Sequence, residues 1–187
     1  MTIELEQPTV DSLAAVGETG EVMEIREVRQ DELGAAARMW AQAWSESYSG
    51  VVPDDVTAAR TSDDFLAHAV SSWRAAMDRG LTYWVVVRDG SITGIAHVRP
   101  SRDVDAPTPV ELTMIYLLES EKGSGAAQQL LMAAAQQAAC SLWVLANNER
   151  AIRFYTKQGF RKDGAIRQAF EGHRGVLEER MVRPARV

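Results

Sequence analysis

Residues 110–131 read VELTMIYLLESEKGSGAAQQLL, and the fold turns on how this stretch divides. Val110 to Leu118 is an apolar run that reads as a largely buried strand. Ala126 to Ala139 places Ala127, Leu130, Leu131, Ala134, Ala135 and Ala138 on one helical face. Between them lies Lys122-Gly123-Ser124-Gly125-Ala126-Ala127. The first N–H groups of a helix have no intrahelical acceptor and carry the positive end of its dipole. Small residues at 123 to 127 let an anion reach that main chain, and Lys122 can add a cation. A glycine turn that merely joins strand to helix is the competing reading at this point. Leu142 to Leu145 then forms a short strand, which completes a strand, helix, strand unit.

Before this unit, Glu24 to Val28 alternates as a short strand, and Leu33, Ala36, Ala37, Trp40, Ala43 and Trp44 mark a first amphipathic helix. Gly50 and Pro53 break it, and Phe65, Val70, Trp73 and Met77 mark a second helix over Thr61 to Met77, ended by Gly80. Tyr83 to Val87 and Ser91 to Val98 flank Arg88-Asp89-Gly90 and predict an antiparallel hairpin. Pro100, Pro107 and Pro109 make Arg99 to Pro109 a loop. After the unit, Ala151 to Gln158 reads as a last helix stopped by Gly159, followed by strands near Phe160 to Ile166 and Leu177 to Val182.

The 187 residues suit one domain. Residues 1–22 lack Lys and Arg and show no sustained periodicity, so a flexible tail is expected there and a domain over 23–187. No apolar run reaches the roughly 18 to 20 residues of a membrane span, and no basic segment precedes an apolar one at the start. The expectation is a cytoplasmic protein without a membrane partner. Cys140 is the only cysteine, which rules out an intrachain disulfide and a cysteine zinc cage, and no metal is expected. The net charge of −6 disfavours nucleic acid as a partner. Ten of the 20 basic residues nevertheless fall within Arg150 to Val187, so an anionic ligand is expected near the C-terminal part. The alternative is that Arg150, Arg153, Lys157, Arg161 and Lys162 form a solvated face.

Two phosphate motifs fail on spacing. No Gly precedes a Gly-Lys-Ser/Thr by the four residues of a P-loop. The dinucleotide fingerprint would need a third glycine at Gln128, and no acidic residue ends the strand at Leu145.

The turn instead resembles that of the GNAT family of acyl-coenzyme A dependent N-acetyltransferases, with Gly125 and Ala127 in its two small positions. Lys122 stands where the family has Arg or Gln, keeping a charge without arginine's planar fork. Asn148-x-x-Ala151-x-x-Phe154-Tyr155-x-x-x-Gly159-Phe160 is similar to the family's coenzyme-side motif, and Trp44-x-x-x-Tyr48-x-Gly50-x-x-Pro53 to a substrate-side segment. The resemblance implies an α/β fold of the α+β type: a mixed, mostly antiparallel sheet flanked by helices, with splayed parallel central strands. It implies acetyl-CoA as co-substrate, with contacts from Tyr116, Leu117, Lys122, Gly123, Ser124, Gly125, Ala126, Ala127 and Asn148. It implies direct transfer to a primary amine, first of all of a small molecule; protein N-terminal or lysine acetylation and a non-catalytic CoA-binding module are the alternatives. Tyr155 would serve the leaving thiolate, and Glu111 would be the base, with His97 second. Trp44 and Tyr48 would line the acceptor site. Cys140 is expected to be buried and inert, and a homodimer is left open.

Overall fold

The computed structural model describes residues 13–16, 22–102 and 104–185. In chain order its elements are β1 (Leu13–Val16), β2 (Val22–Glu27), α1 (Leu33–Tyr48), α2 (Asp54–Thr61), α3 (Asp63–Met77), β3 (Tyr83–Arg88), β4 (Ser91–Pro100), β5 (Val110–Leu117), α4 (Ala126–Ala135), β6 (Cys140–Leu145), α5 (Glu149–Lys157), β7 (Arg161–Gln168) and β8 (Leu177–Arg183). The eight strands make one sheet in the order β1-β2-β3-β4-β5-β6-β8-β7. Every neighbouring pair is antiparallel except β5 with β6.

β3 shows why the sheet is buried on both faces. Tyr83, Val85 and Val87 join the core under α1 and α3, while Trp84 and Val86 join a second core under α4. A strand covered on both sides needs apolar residues at every position, and Tyr-Trp-Val-Val-Val supplies them. The β3–β4 turn has positive φ at Asp89 and Gly90, the backbone a tight hairpin demands and an Asp-Gly pair tolerates. A third core of Leu112, Leu131, Cys140, Leu142, Val144, Tyr155, Phe160 and Met181 lies under α5.

β5 and β6 pair only through Val110 with Cys140, Glu111 with Ser141 and Leu112 with Leu142. Beyond these residues the two strands part, although β5 continues to Leu117 and β6 to Leu145. The expected splay is therefore present, and it opens a cleft in the middle of the sheet. On the other side of β5 an extra residue, Thr113, interrupts the register opposite His97 and Val98. Such a bulge re-aims the side chains around it.

Several boundaries differ from the sequence reading. Leu13–Val16 is a strand paired with β2, within the expected tail, because an uncharged apolar run can complete an open sheet edge. The rest of that expectation, residues 1–12 and 17–21, lies outside the described residues. The second helix, read over Thr61 to Met77, is α3, and ahead of it stands α2, a helix the sequence reading did not include, divided from α3 by Ser62. Ser62 is extended, and its hydroxyl accepts a hydrogen bond from the Phe65 N–H, capping α3. α2 offers Val56 as its one buried residue, too weak a stripe to show as a periodicity. α4 stops at Ala135, earlier than expected, where Gln136 takes positive φ. The buried Arg183 donates from Nη2 to the carbonyls of Gln136 and Ala138, satisfying the helix end from another strand. β4 runs to Pro100, paired with Val110, so the proline-rich loop begins later than Arg99.

Candidate active site

Between the splayed strands lies a cleft of about 600 Å³, lined by β5 and β6, the glycine turn and α5. Gly123 and Gly125 both take positive φ, and no atom lies within 4 Å of where a side chain would begin, so their main chain faces open space. The amides of this turn are used alternately. Those of Lys122 and Ser124 donate to the carbonyls of Glu119 and Glu121, and those of Gln128 and Gln129 donate to the carbonyl of Gly125. The Ala126 N–H donates to Ser124 Oγ at 3.2 Å. The N–H groups of Gly123, Gly125 and Ala127 have no acceptor among the described residues, and these three residues line the cleft. Three unpaired donors at a helix start form an anion-binding concavity. Ser124 and Ala126, both expected to contact the coenzyme, are not among the lining residues. One braces the turn, and the other is fully buried with its amide occupied.

The turn is held from beneath by a group that the sequence reading passed over. Glu121 is buried, and Arg88 grips it through Nε at 2.8 Å and Nη2 at 2.9 Å. Ser124 Oγ lies 2.8 Å from the same carboxylate. These hydrogen bonds, Arg88 foremost, hold the Glu121 carboxyl down to about 2 against the cost of burial. An exposed-looking acid beside a lysine is thus the anchor of the loop. Lys122 itself pairs with Glu119 at the cleft edge.

The C-terminal positive charge divides between the two readings. Arg150 and Lys157, seven residues apart and so on one face of α5, line the cleft. Arg153 pairs with Glu149 at 3.0 Å, and Lys162 pairs with Glu179. Asn148 also serves twice: its Oδ1 caps α5 by accepting from the Ala151 N–H at 3.0 Å, and it lines the cleft. Tyr116, Leu117, Phe154 and Tyr155 complete the wall.

Tyr155 packs edge-on against Phe154 and Phe160, and burial pushes its hydroxyl well above the usual tyrosine range. It keeps its proton at any working pH.

A second cavity, about 650 Å³, lies under α1 and α3 and takes in Trp44, His97 and Phe170. The two cavities share Tyr48, Thr113, Met114, Tyr116, Leu145 and Glu178. The bulge explains how the successive residues Thr113 and Met114 both reach this junction. Tyr48 and Tyr116 place their hydroxyls 3.5 Å apart there. Glu178 comes from β8, opposite Leu145, and accepts from Arg167 Nε at 2.9 Å. Sequence reading missed Glu178 because only the pairing of β6 with β8 carries it to the junction.

The two predicted bases fare differently. Glu111 lines neither cavity, and its carboxylate is held by Arg99 at 3.2 Å. His97 lines the second cavity, buried and stacked on Tyr83 at 4.0 Å. Its Nδ1 donates to the Thr82 carbonyl at 2.9 Å, and burial holds the ring below the usual histidine range, hence neutral near pH 7.

A split parallel pair leading into a turn with three open amides is the arrangement the sequence resemblance implies, and comparison with known proteins agrees. Residues 37–160 match the model of the acetyltransferase (GNAT) family. The chain belongs to this family. An uncharacterized N-acetyltransferase of Mycobacterium tuberculosis strain H37Rv is 42% identical over 82 residues, which cover 41% of this chain and 50% of that protein. The GNAT chain thus matches about half the length of this relative. Among solved structures, PaiA N-acetyltransferase from Thermoplasma acidophilum, in complex with coenzyme A, aligns with a TM-score of 0.63 and 18% identity over 87% of this chain and 98% of its own. YncA from Salmonella typhimurium, a putative acetyltransferase with acetyl-CoA, aligns at 0.65 and 20% over 86% and 92%. Ribosomal-protein-alanine N-acetyltransferase from Brucella melitensis aligns at 0.64 and 19% over 86% and 98%. These three likenesses concern the fold.

Proposed function

We propose that the protein is an N-acetyltransferase that moves an acetyl group from acetyl-CoA directly to the primary amine of a small molecule. The observation that carries the proposal is the meeting of two cavities at Tyr48, Tyr116 and Glu178, one ending in the open amides of Gly123, Gly125 and Ala127. These donors suit a diphosphate, with Arg150 and Lys157 beside them. The edge of β5 beyond Leu112, no longer paired to β6, offers main-chain groups to amides of a pantetheine arm. When bound, the coenzyme supplies an activated thioester carbonyl.

In the transfer a C–N bond forms and the C–S bond breaks, so the chain must hold an ammonium, remove its proton and ease the departure of sulfur. Glu178, the one carboxylate at the junction, holds the ammonium and takes its proton. Tyr155 faces the sulfur. A tyrosine near 10 giving up its proton to a thiolate near 8.5 is uphill by about 2 kcal/mol, and burial of Tyr155 enlarges the gap. Donation of a hydrogen bond, without full transfer, is therefore its role.

A small acceptor is favoured over a peptide because the β7–β8 connection walls one side of the second cavity through Ala169 and Phe170. Phe170 packs on Trp44 with ring centres 6.5 Å apart, and His173 Nε2 lies 3.3 Å from Asp55 on α2. The proposed compartment is the cytoplasm, on the sequence grounds given above. Thiol release from acetyl-CoA, followed across a panel of small amines and peptides, tests the reading. Turnover with small amines supports it. Turnover only with peptides moves the acceptor to protein, and saturable CoA binding without any turnover leaves a non-catalytic module.

A further inference from the structure

The second cavity has a charge that the chain as a whole does not share. The net charge is −6, yet this cavity is lined by Arg60, Arg79, Arg99, Arg102 and Arg167, with Glu178 as its one acidic residue. Two of the arginines are already engaged, Arg99 by Glu111 at 3.2 Å and Arg167 by Glu178 at 2.9 Å. Arg60, Arg79 and Arg102 have no carboxylate within 4 Å among the described residues. Arg79 and Arg102 are exposed, as solvated surface charges are, but Arg60 is half-buried. Its guanidinium carbon sits 5.2 Å from the ring centre of Phe65 and 5.9 Å from that of Phe170. Two aromatic rings thus hold the guanidinium by cation–π contact in the wall of the cavity, while its N–H groups find no protein carboxylate. A guanidinium fixed in this way is a preformed partner for a carboxylate or a phosphonate, either of which can accept two of its N–H bonds.

Resting on the acetyl-transfer reading, we infer that the acceptor is an amine that also carries an acidic group, a carboxylate or a phosphonate, seated on Arg60 with Arg79 and Arg102 as an electrostatic funnel. The amine then lies toward Glu178, the opposite charge at the junction, so one molecule satisfies both ends of the cavity. Polyamines and other multiply cationic acceptors are disfavoured by the same arginines.

The test separates this inference from the reading beneath it. CoA is titrated calorimetrically into the full chain, which examines the coenzyme site alone. 5-Aminopentanoate, which carries one carboxylate and one ammonium, and 1,5-diaminopentane, a dication of equal length, are then titrated with and without CoA present. Saturable binding of 5-aminopentanoate, weakening with salt, and none of the diamine is the expected result. Arg60→Gln should weaken 5-aminopentanoate about tenfold or more, the scale of one charge-assisted hydrogen bond. The same variant should leave CoA affinity unchanged, because Arg60 is absent from the coenzyme cleft. Arg60→Lys should recover part of the loss. 5-Aminopentanoate that fails to bind, binds Arg60→Gln as well as the parent, or binds less tightly than the diamine overturns the inference, whatever the CoA titration gives. Absence of CoA binding overturns the acetyl-transfer reading instead.

Discussion

The roles proposed for Tyr155 and Glu178 rest on two different kinds of observation. Tyr155 stands in a recognisable spacing with Asn148, Phe154 and Gly159, so its place beside the cleft was legible in the chain. Its energetics were not, because they come from burial against Phe154 and Phe160. With a hydrogen bond as its contribution, Tyr155→Phe should lower kcat about 10²-fold, while CoA affinity measured by calorimetry stays within about twofold. Equal losses in both would assign Tyr155 to binding. Glu178 has no local motif, and Glu111 was preferred on resemblance alone. In the structure Glu111 is tied to Arg99 outside both cavities, while Glu178 stands where the cavities meet. Steady-state kinetics should therefore show Glu111→Gln tracking the parent and Glu178→Gln losing at least about tenfold in kcat/KM. The reverse pattern would restore Glu111 as the base.

At the scale of elements, strands and helices with strong periodicity or turn chemistry were readable. The β3–β4 hairpin is one, because Asp89-Gly90 has the backbone freedom its turn requires. The α2–α3 break and the end of α4 were not, because each depends on one polar contact. Ser62 caps α3, and Arg183 reaches across from β8 to the carbonyls after α4. Arg183 is 1% exposed, with its guanidinium carbon 5.1 Å from the Phe160 ring centre. Arg183→Ala removes that packing and leaves two carbonyls without their donor, so urea unfolding should show a loss of about 2 to 4 kcal/mol. A loss below about 0.5 kcal/mol would mean that water replaces the guanidinium at no cost.

Across the whole molecule, stability is tied to pH through two carboxylates gripped by arginines, the buried Glu121 beneath the glycine turn and the half-buried Glu32. Glu121 is held at about 2, chiefly by Arg88. Glu32 is held at about 2, chiefly by hydrogen bonds from Arg26 at 2.8 and 2.7 Å. A carboxyl depressed on folding binds protons more readily in the unfolded chain, so its stabilisation is present above the ordinary value near 4.5 and is lost as pH falls toward 2. The melting temperature should accordingly fall through that interval, and Glu121→Gln should flatten the fall while weakening CoA. A melting temperature indifferent to pH between 5 and 2.5 would contradict both assignments. The family and the glycine turn between strand and helix were determined by the amino-acid sequence by itself, because motif and glycine spacing are local properties of a chain, and the mixed sheet followed from the resemblance that those motifs carry. The second cavity, its excess of arginines, the anchoring of Glu121 and the arrival of Glu178 were decided only by tertiary structure. Their partners lie up to dozens of residues away, and charge counted along a chain carries no record of which side chains will face one another across a folded interior.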